Sequence, residues 1–97
     1  MKADYDSEGD TIQIELEPVD RLDFGKDVEN GAVIVHFRDK KPVIVDVIGA
    51  GSVFEKPLRI AAERYEMDAE ALIAAAQAAL AAPDRTVTLD VAVRAAA

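Results

Sequence analysis

The chain has no cysteine and no tryptophan, a single histidine, and only 5% aromatic residues. Without cysteine there are no disulfides, no thiolate nucleophiles and no cysteine-ligated zinc. With so few rings, a core has to be assembled from Val, Ile, Leu and Ala. Positive charge is scarce as well: 11 Lys and Arg stand against 19 Asp and Glu, a formal net charge of -8. That balance repels polyanions and argues against nucleic acid or an anionic membrane surface as partner. Long apolar runs are also missing. The two most apolar windows, Val43 to Ile48 and Ala69 to Ala82, fall short of the roughly 20 residues needed to span a bilayer. Asp4, Asp6, Glu8 and Asp10 occupy the place where a secretory leader would carry its apolar stretch. The expectation is a cytoplasmic chain without membrane association or cofactor.

What is present is enough for one small domain: 97 residues, 51% of them apolar. We divide it into a sheet-forming part (residues 1–50), a helical pair (51–85) and a C-terminal strand (86–94). Ile12, Ile14 and Leu16 alternate with Thr11, Gln13 and Glu15, the period of a strand with one buried face. Lys2 to Tyr5 pairs with it through Asp6-Ser7-Glu8-Gly9-Asp10, where Gly9 is expected to supply a positive φ. Pro18 ends that hairpin, and Val19 to Glu29 reads as a connection. Ala32 to Phe37 and Val43 to Ile48 form a second hairpin around Arg38-Asp39-Lys40-Lys41. A turn of odd length puts Val33, Val35 and Phe37 on one face with Val43, Val45 and Val47. An even turn would drive Asp46 into that face, where an unpaired carboxylate is costly. The odd turn is therefore expected.

Beyond Gly49-Ala50-Gly51 the period becomes helical. A first helix runs from about Pro57 to Tyr65; a Ser52 and Glu55 capping box would start it earlier. A second is capped by Asp68 and runs from about Ala69 to Ala82, with Leu72, Ile73, Ala76, Ala79 and Leu80 as its stripe. Thr86 to Val93 alternates again. The fold class is thus α+β: an antiparallel meander of two hairpins, two helices on one face, and a fifth, C-terminal strand.

Met1-Lys2-Ala3-Asp4-Tyr5-Asp6, followed by Asp10-Thr11-Ile12-Gln13-Ile14-Glu15-Leu16, Gly31-Ala32-Val33-Ile34-Val35 and Ile44-Val45-Asp46-Val47-Ile48, resembles the small prokaryotic family called domain of unknown function 2283. The resemblance covers the first half; Pro42 departs from the glycine frequent there, and nothing after Gly51 matches. It implies a meander of strands with helical cover and supplies no catalytic residues.

Three constellations bear on chemistry. Asp4, Asp6, Glu8, Gly9 and Glu15 have the spacing of a calcium loop, yet no helix leads in and the second half alternates as a strand, so a plain hairpin accounts for them without metal. The helices around Glu66-Met67-Asp68 have helix-turn-helix lengths, but Ala69 to Ala82 contains no Lys or Arg to neutralise phosphate. His36 and Asp46, the catalytic candidates, fall diagonally on one sheet face within hydrogen-bonding reach.

Three functional readings follow. The first is a protein-interaction or regulatory module, the acidic partner of a basic protein, as an antitoxin neutralising a basic toxin would be. The second is a small-ligand protein or enzyme using His36 and Asp46. The third is a structural oligomerisation unit. Ile34, Ile44 and Ile48 on the face away from the helices, with Val87, Leu89 and Val91, are the interface candidates for a homodimer joined at or near the C-terminal strand.

Overall fold

The computed structural model describes residues 1–51 and 53–89. It contains β1 (Lys2–Asp6), β2 (Thr11–Glu15), β3 (Phe24–Val28), β4 (Val33–Arg38), β5 (Lys41–Ile48), α1 (Glu55–Arg64), α2 (Ala69–Leu80) and β6 (Thr86–Thr88). The strands make one antiparallel sheet in the order β3-β4-β5-β2-β1-β6. The class is α+β, as expected, with two differences. The stretch read as a connection contains an edge strand, β3. The sheet is also not a simple meander, because β5 pairs back onto β2 and so joins the first hairpin to the β3-β4-β5 unit.

The turns show how local chemistry and tertiary bonds share the work. In the first hairpin the Asp6 carboxylate accepts from the Glu8 and Gly9 amides at 3.1 and 3.3 Å, closing the turn as an aspartate can. The left-handed residue is Asp10 (φ 52°), not Gly9. Aspartate tolerates that conformation better than most residues, and here the fold fixes it. The Asp10 carbonyl accepts from the Gly49 and Ala50 amides, and its carboxylate accepts from the Tyr5 hydroxyl (2.8 Å) and the Gly51 amide (2.9 Å). One residue thereby ties the first hairpin to the end of β5.

The second hairpin corrects the parity argument. Arg38 pairs with Lys41 across a two-residue turn, with Asp39 (φ 53°) and Lys40 (φ 64°) both left-handed, the type I′ geometry that suits strand twist. An even turn alone would have buried Asp46. The chain restores the other parity with a β-bulge: Phe37 pairs with Pro42 and His36 with Ile44, leaving Val43 unopposed. Val33 therefore faces Val47 and Val35 faces Val45 on the core side, as expected, and Asp46 stays on the other face opposite Ile34.

Both helices cover that core side, α1 against β3 and β4, and α2 against β1, β2 and β6. Ile12, Ile14, Val33, Val35, Val45, Val47, Leu58 and Leu72 are all but fully buried there. α1 begins two residues earlier than Pro57, so the proline sits within the first turn, where its missing amide breaks no helical bond. It ends in a Schellman arrangement: the Met67 amide donates to the Ala62 carbonyl at 2.8 Å, and Glu66 (φ 55°) takes the left-handed position glycine usually fills. Asp68 then caps α2, accepting from the Ala71 amide at 3.1 Å. α2 stops at Leu80, two residues short of the expected end. Its alanines let it lie close: Ala71, Ala75, Ala76 and Ala79 are buried.

β6 pairs with β1 of its own chain, Ala3 opposite Val87. That puts Val87, half-buried, on the helix side, and Leu89 packs partly buried against the core. Val91 and the remainder of the expected strand lie outside the described residues. Ile44, expected as part of an exposed apolar face, is buried at 8% exposure, whereas Ile48 is 44% exposed. Among the described residues no helix is long and apolar enough to cross a membrane.

Candidate functional site: the uncovered sheet face

Alternation sends every second side chain away from the helices. On that face, β1 contributes Lys2, Asp4 and Asp6, β2 contributes Thr11, Gln13 and Glu15, β3 contributes Asp27, β4 contributes Ile34, His36 and Arg38, β5 contributes Lys41, Ile44, Asp46 and Ile48, and β6 contributes Thr86 and Thr88. The core side has taken the apolar half of each strand, leaving the polar half to carry the charge, and on it carboxylates outnumber the cations Lys2, Arg38 and Lys41.

At its centre His36 Nε2 and Asp46 Oδ2 lie 2.7 Å apart, with side-chain exposures of 23% and 22%. The pair is diagonal, since His36 sits directly opposite Ile44 and Asp46 opposite Ile34. An ionised carboxylate only accepts, so the proton in this bond belongs to Nε2, leaving Nδ1 of a neutral imidazole as an acceptor. Across the strand on the other side is Gly25, where a Cβ would stand 3.3 Å from His36 Nδ1. Glycine there leaves the ring its room. The other Asp46 oxygen, Oδ1, is buried without a hydrogen-bond partner. The arrangement is an oriented imidazole with an unsatisfied acceptor next to it.

Three hydroxyl groups among the described residues are engaged elsewhere. Ser7 donates to Asp84 at 2.6 Å, Thr11 to the Gly9 carbonyl at 3.1 Å, and Thr86 to Asp4 at 2.5 Å. These bonds also show where the calcium-loop carboxylates go: Asp4 holds β6 and Asp6 holds its own turn. Among the described residues no group of three or more His, Cys, Asp or Glu converges as metal ligands would.

Electrostatics elsewhere is peripheral. Two hydrogen bonds from Ser7, the larger effect from its hydroxyl, hold the Asp84 carboxyl below the ordinary carboxylate value. The hydrogen bond to Asp10 raises the Tyr5 phenol. Arg38 bonds Asp20, which lowers the Asp20 carboxyl and raises the guanidinium, beside an open depression of about 590 Å³ lined by Glu17 to Asp20, Arg38 and Asp39.

The sequence brought His36 and Asp46 together correctly in space but missed Gly25, because β3 was not recognised as a strand. A signal existed. Asn30-Gly31 is a hairpin-turn dipeptide, and the structure holds Glu29, Asn30 and Gly31 all left-handed in the turn between β3 and β4.

The chain matches no family model, and no curated protein or solved structure matches it either.

Proposed function

We propose that this chain is a small cytoplasmic protein-interaction module, the acidic member of a pair whose other member is a basic protein, as in an antitoxin and its toxin. The observation that carries the reading is a sheet with helices on one side only among the described residues, whose open side carries more carboxylates than cations, in a chain of net charge -8. Such a face steers and orients a cationic partner. The kinship with domain of unknown function 2283 belongs to the same proposal and rests on the Met1 to Leu16 pattern. Affinity purification of the native chain from its own cells should recover one stoichiometric basic protein, released as salt rises through the Debye-screening range. Recovery of the chain alone, at low salt and physiological abundance, would refute the pairing.

A second reading, ligand binding or catalysis at His36 and Asp46, draws on the 2.7 Å contact and the unpartnered Oδ1. It requires a small molecule whose binding shifts the His36 ring resonances and is abolished by His36→Asn. Self-association as a homodimer through the C-terminal stretch draws on β6 being the last strand of the sheet, with its outer side unpaired among the described residues. Light scattering of the chain at high micromolar concentration should give twice the 10.4 kDa chain mass; a monodisperse monomer would exclude it.

A further inference from the structure

The register places one row of side chains straight across the open face: Asp4, Gln13, Asp46, Ile34 and Asp27, on β1, β2, β5, β4 and β3 in turn. A carboxylate stands on every second strand. With strands about 4.8 Å apart, successive carboxylates are spaced by about 10 Å. Seven residues of an α-helix rise about 10.5 Å.

We infer that the open face receives a basic helix of the partner, laid across the strands, with cationic side chains at every seventh position meeting Asp4, Asp46 and Asp27. The inference rests on the interaction-module reading above and specifies its geometry. An extended segment does not suit a sheet face, because its backbone donors and acceptors would be covered without partners, whereas a helix satisfies its own. Extended partners take sheet edges, and the β3 edge is guarded against them by Lys26, whose side chain stands on the helix side opposite Val35. Within the row, Gln13 and Ile34 fall between the carboxylates, where a helix presents the residues three or four positions from each cation. The existing bonds of Asp4 to Thr86 and of Asp46 to His36 hold those carboxylates in place for the incoming charge.

The test uses a labelled, alanine-rich helical peptide of about 18 residues, long enough to hold helix when stapled, with arginine at every seventh position. A peptide of identical composition with its arginines bunched together is the comparison. Fluorescence anisotropy should show the spaced peptide binding more tightly than the bunched one, with affinity falling as salt rises. Gln13→Lys, at an exposed position between Asp4 and Asp46, should weaken binding roughly fivefold to tenfold, and Asp27→Lys comparably. Glu63→Lys, exposed on α1 at the opposite side, should change it less than about twofold. Thermal melts of each variant confirm that it is folded. Equal affinity for the two peptides, or equal weakening by Gln13→Lys and Glu63→Lys, overturns the row while leaving an acidic module intact. Absence of binding by either peptide at low salt also overturns it; a basic protein still co-purifying with the native chain would then dock on another surface.

Discussion

Replacing Lys40 by glycine should stabilise the domain. Lys40 is exposed and sits at φ 64° in the two-residue turn between β4 and β5. A left-handed conformation costs an ordinary L-residue roughly 1–2 kcal/mol, because Cβ crowds the following carbonyl. Glycine removes that crowding, but it adds freedom to the unfolded chain worth roughly 0.5–1 kcal/mol in the opposite direction. The net gain is about 0.5–1 kcal/mol. At roughly 4–8 °C per kcal/mol for a domain of this size, the melting temperature should rise by about 2–8 °C. Thermal melts and urea titrations of wild type, Lys40→Gly and Lys40→Val read it directly. Valine is the opposite perturbation, since its branched Cβ is least suited to a positive φ, and it should lower the midpoint. The experiment reaches beyond the turn. A two-residue turn preserves the core face only if Val43 is bulged, so turn and bulge stand together. Unchanged or reduced stability in Lys40→Gly, or equal behaviour of the two variants, would refute the left-handed turn and with it the bulge.

Other perturbations test other links. Glu66→Gly should stabilise by a similar increment, since Glu66 fills the glycine position of the α1 Schellman cap, and a fall in melting temperature would contradict that geometry. Asp68→Ala should cost about 1 kcal/mol by freeing the Ala71 amide, measured by urea denaturation; Asp68→Asn should keep most of it. Val45→Asp should abolish the cooperative melt, because Val45 is fully enclosed and no polar or charged residue is buried with it among the described residues. The Ser7 and Asp84 latch should make stability acid-sensitive. The folded carboxyl lies below its ordinary 3.8, so its contribution is present above that value and is lost as pH falls through the lower folded value. The melting-temperature gap between wild type and Ser7→Ala should therefore be open at neutral pH and close in strong acid; a gap independent of pH would show that Asp84 is not the partner that matters.

How much of this was legible in the sequence depended on how local the cause was. The Asp68 cap and the strand of Thr11 to Glu15 follow from side-chain chemistry and period alone, and both appear as read. The core face of β4 and β5 was reached by a sound premise, that Asp46 must stay out, attached to the wrong device. The chain satisfied the premise by an inserted residue at Val43 rather than by a longer turn. Bulges leave no period of their own, so a count of turn residues could not reveal one. β3 was missed for a different reason. Four of its five residues are exposed, and an edge strand needs no apolar alternation to be held by its neighbour's backbone. Gly9 looked like the turn's glycine, but Asp10 is held left-handed by bonds from Gly49, Ala50 and Gly51, contacts no local window contains.

The same distinction separates the two faces of the sheet. On the helix side the apolar residues pack on one another: Phe37 stacks on Phe24 at 4.8 Å and meets Tyr65 edge-on at 5.1 Å, and Val33, Val35, Val45 and Val47 share one core cluster with residues of both helices. Folding alone accounts for that side. On the other side Asp4, Asp46 and Asp27 gather like charges along one row of the sheet, and the bonds of Asp4 to Thr86 and of Asp46 to His36 tie two of the three into the fold. The stability lost to that gathering is small at the surface and grows as salt is removed. Replacing the three by asparagine, whose amide oxygen can still accept from Thr86 and His36, should therefore leave the fold intact and raise its low-salt stability slightly, and it should abolish binding of the spaced basic peptide proposed above. Stability that rises while binding is lost is the mark of residues kept for recognition rather than for folding.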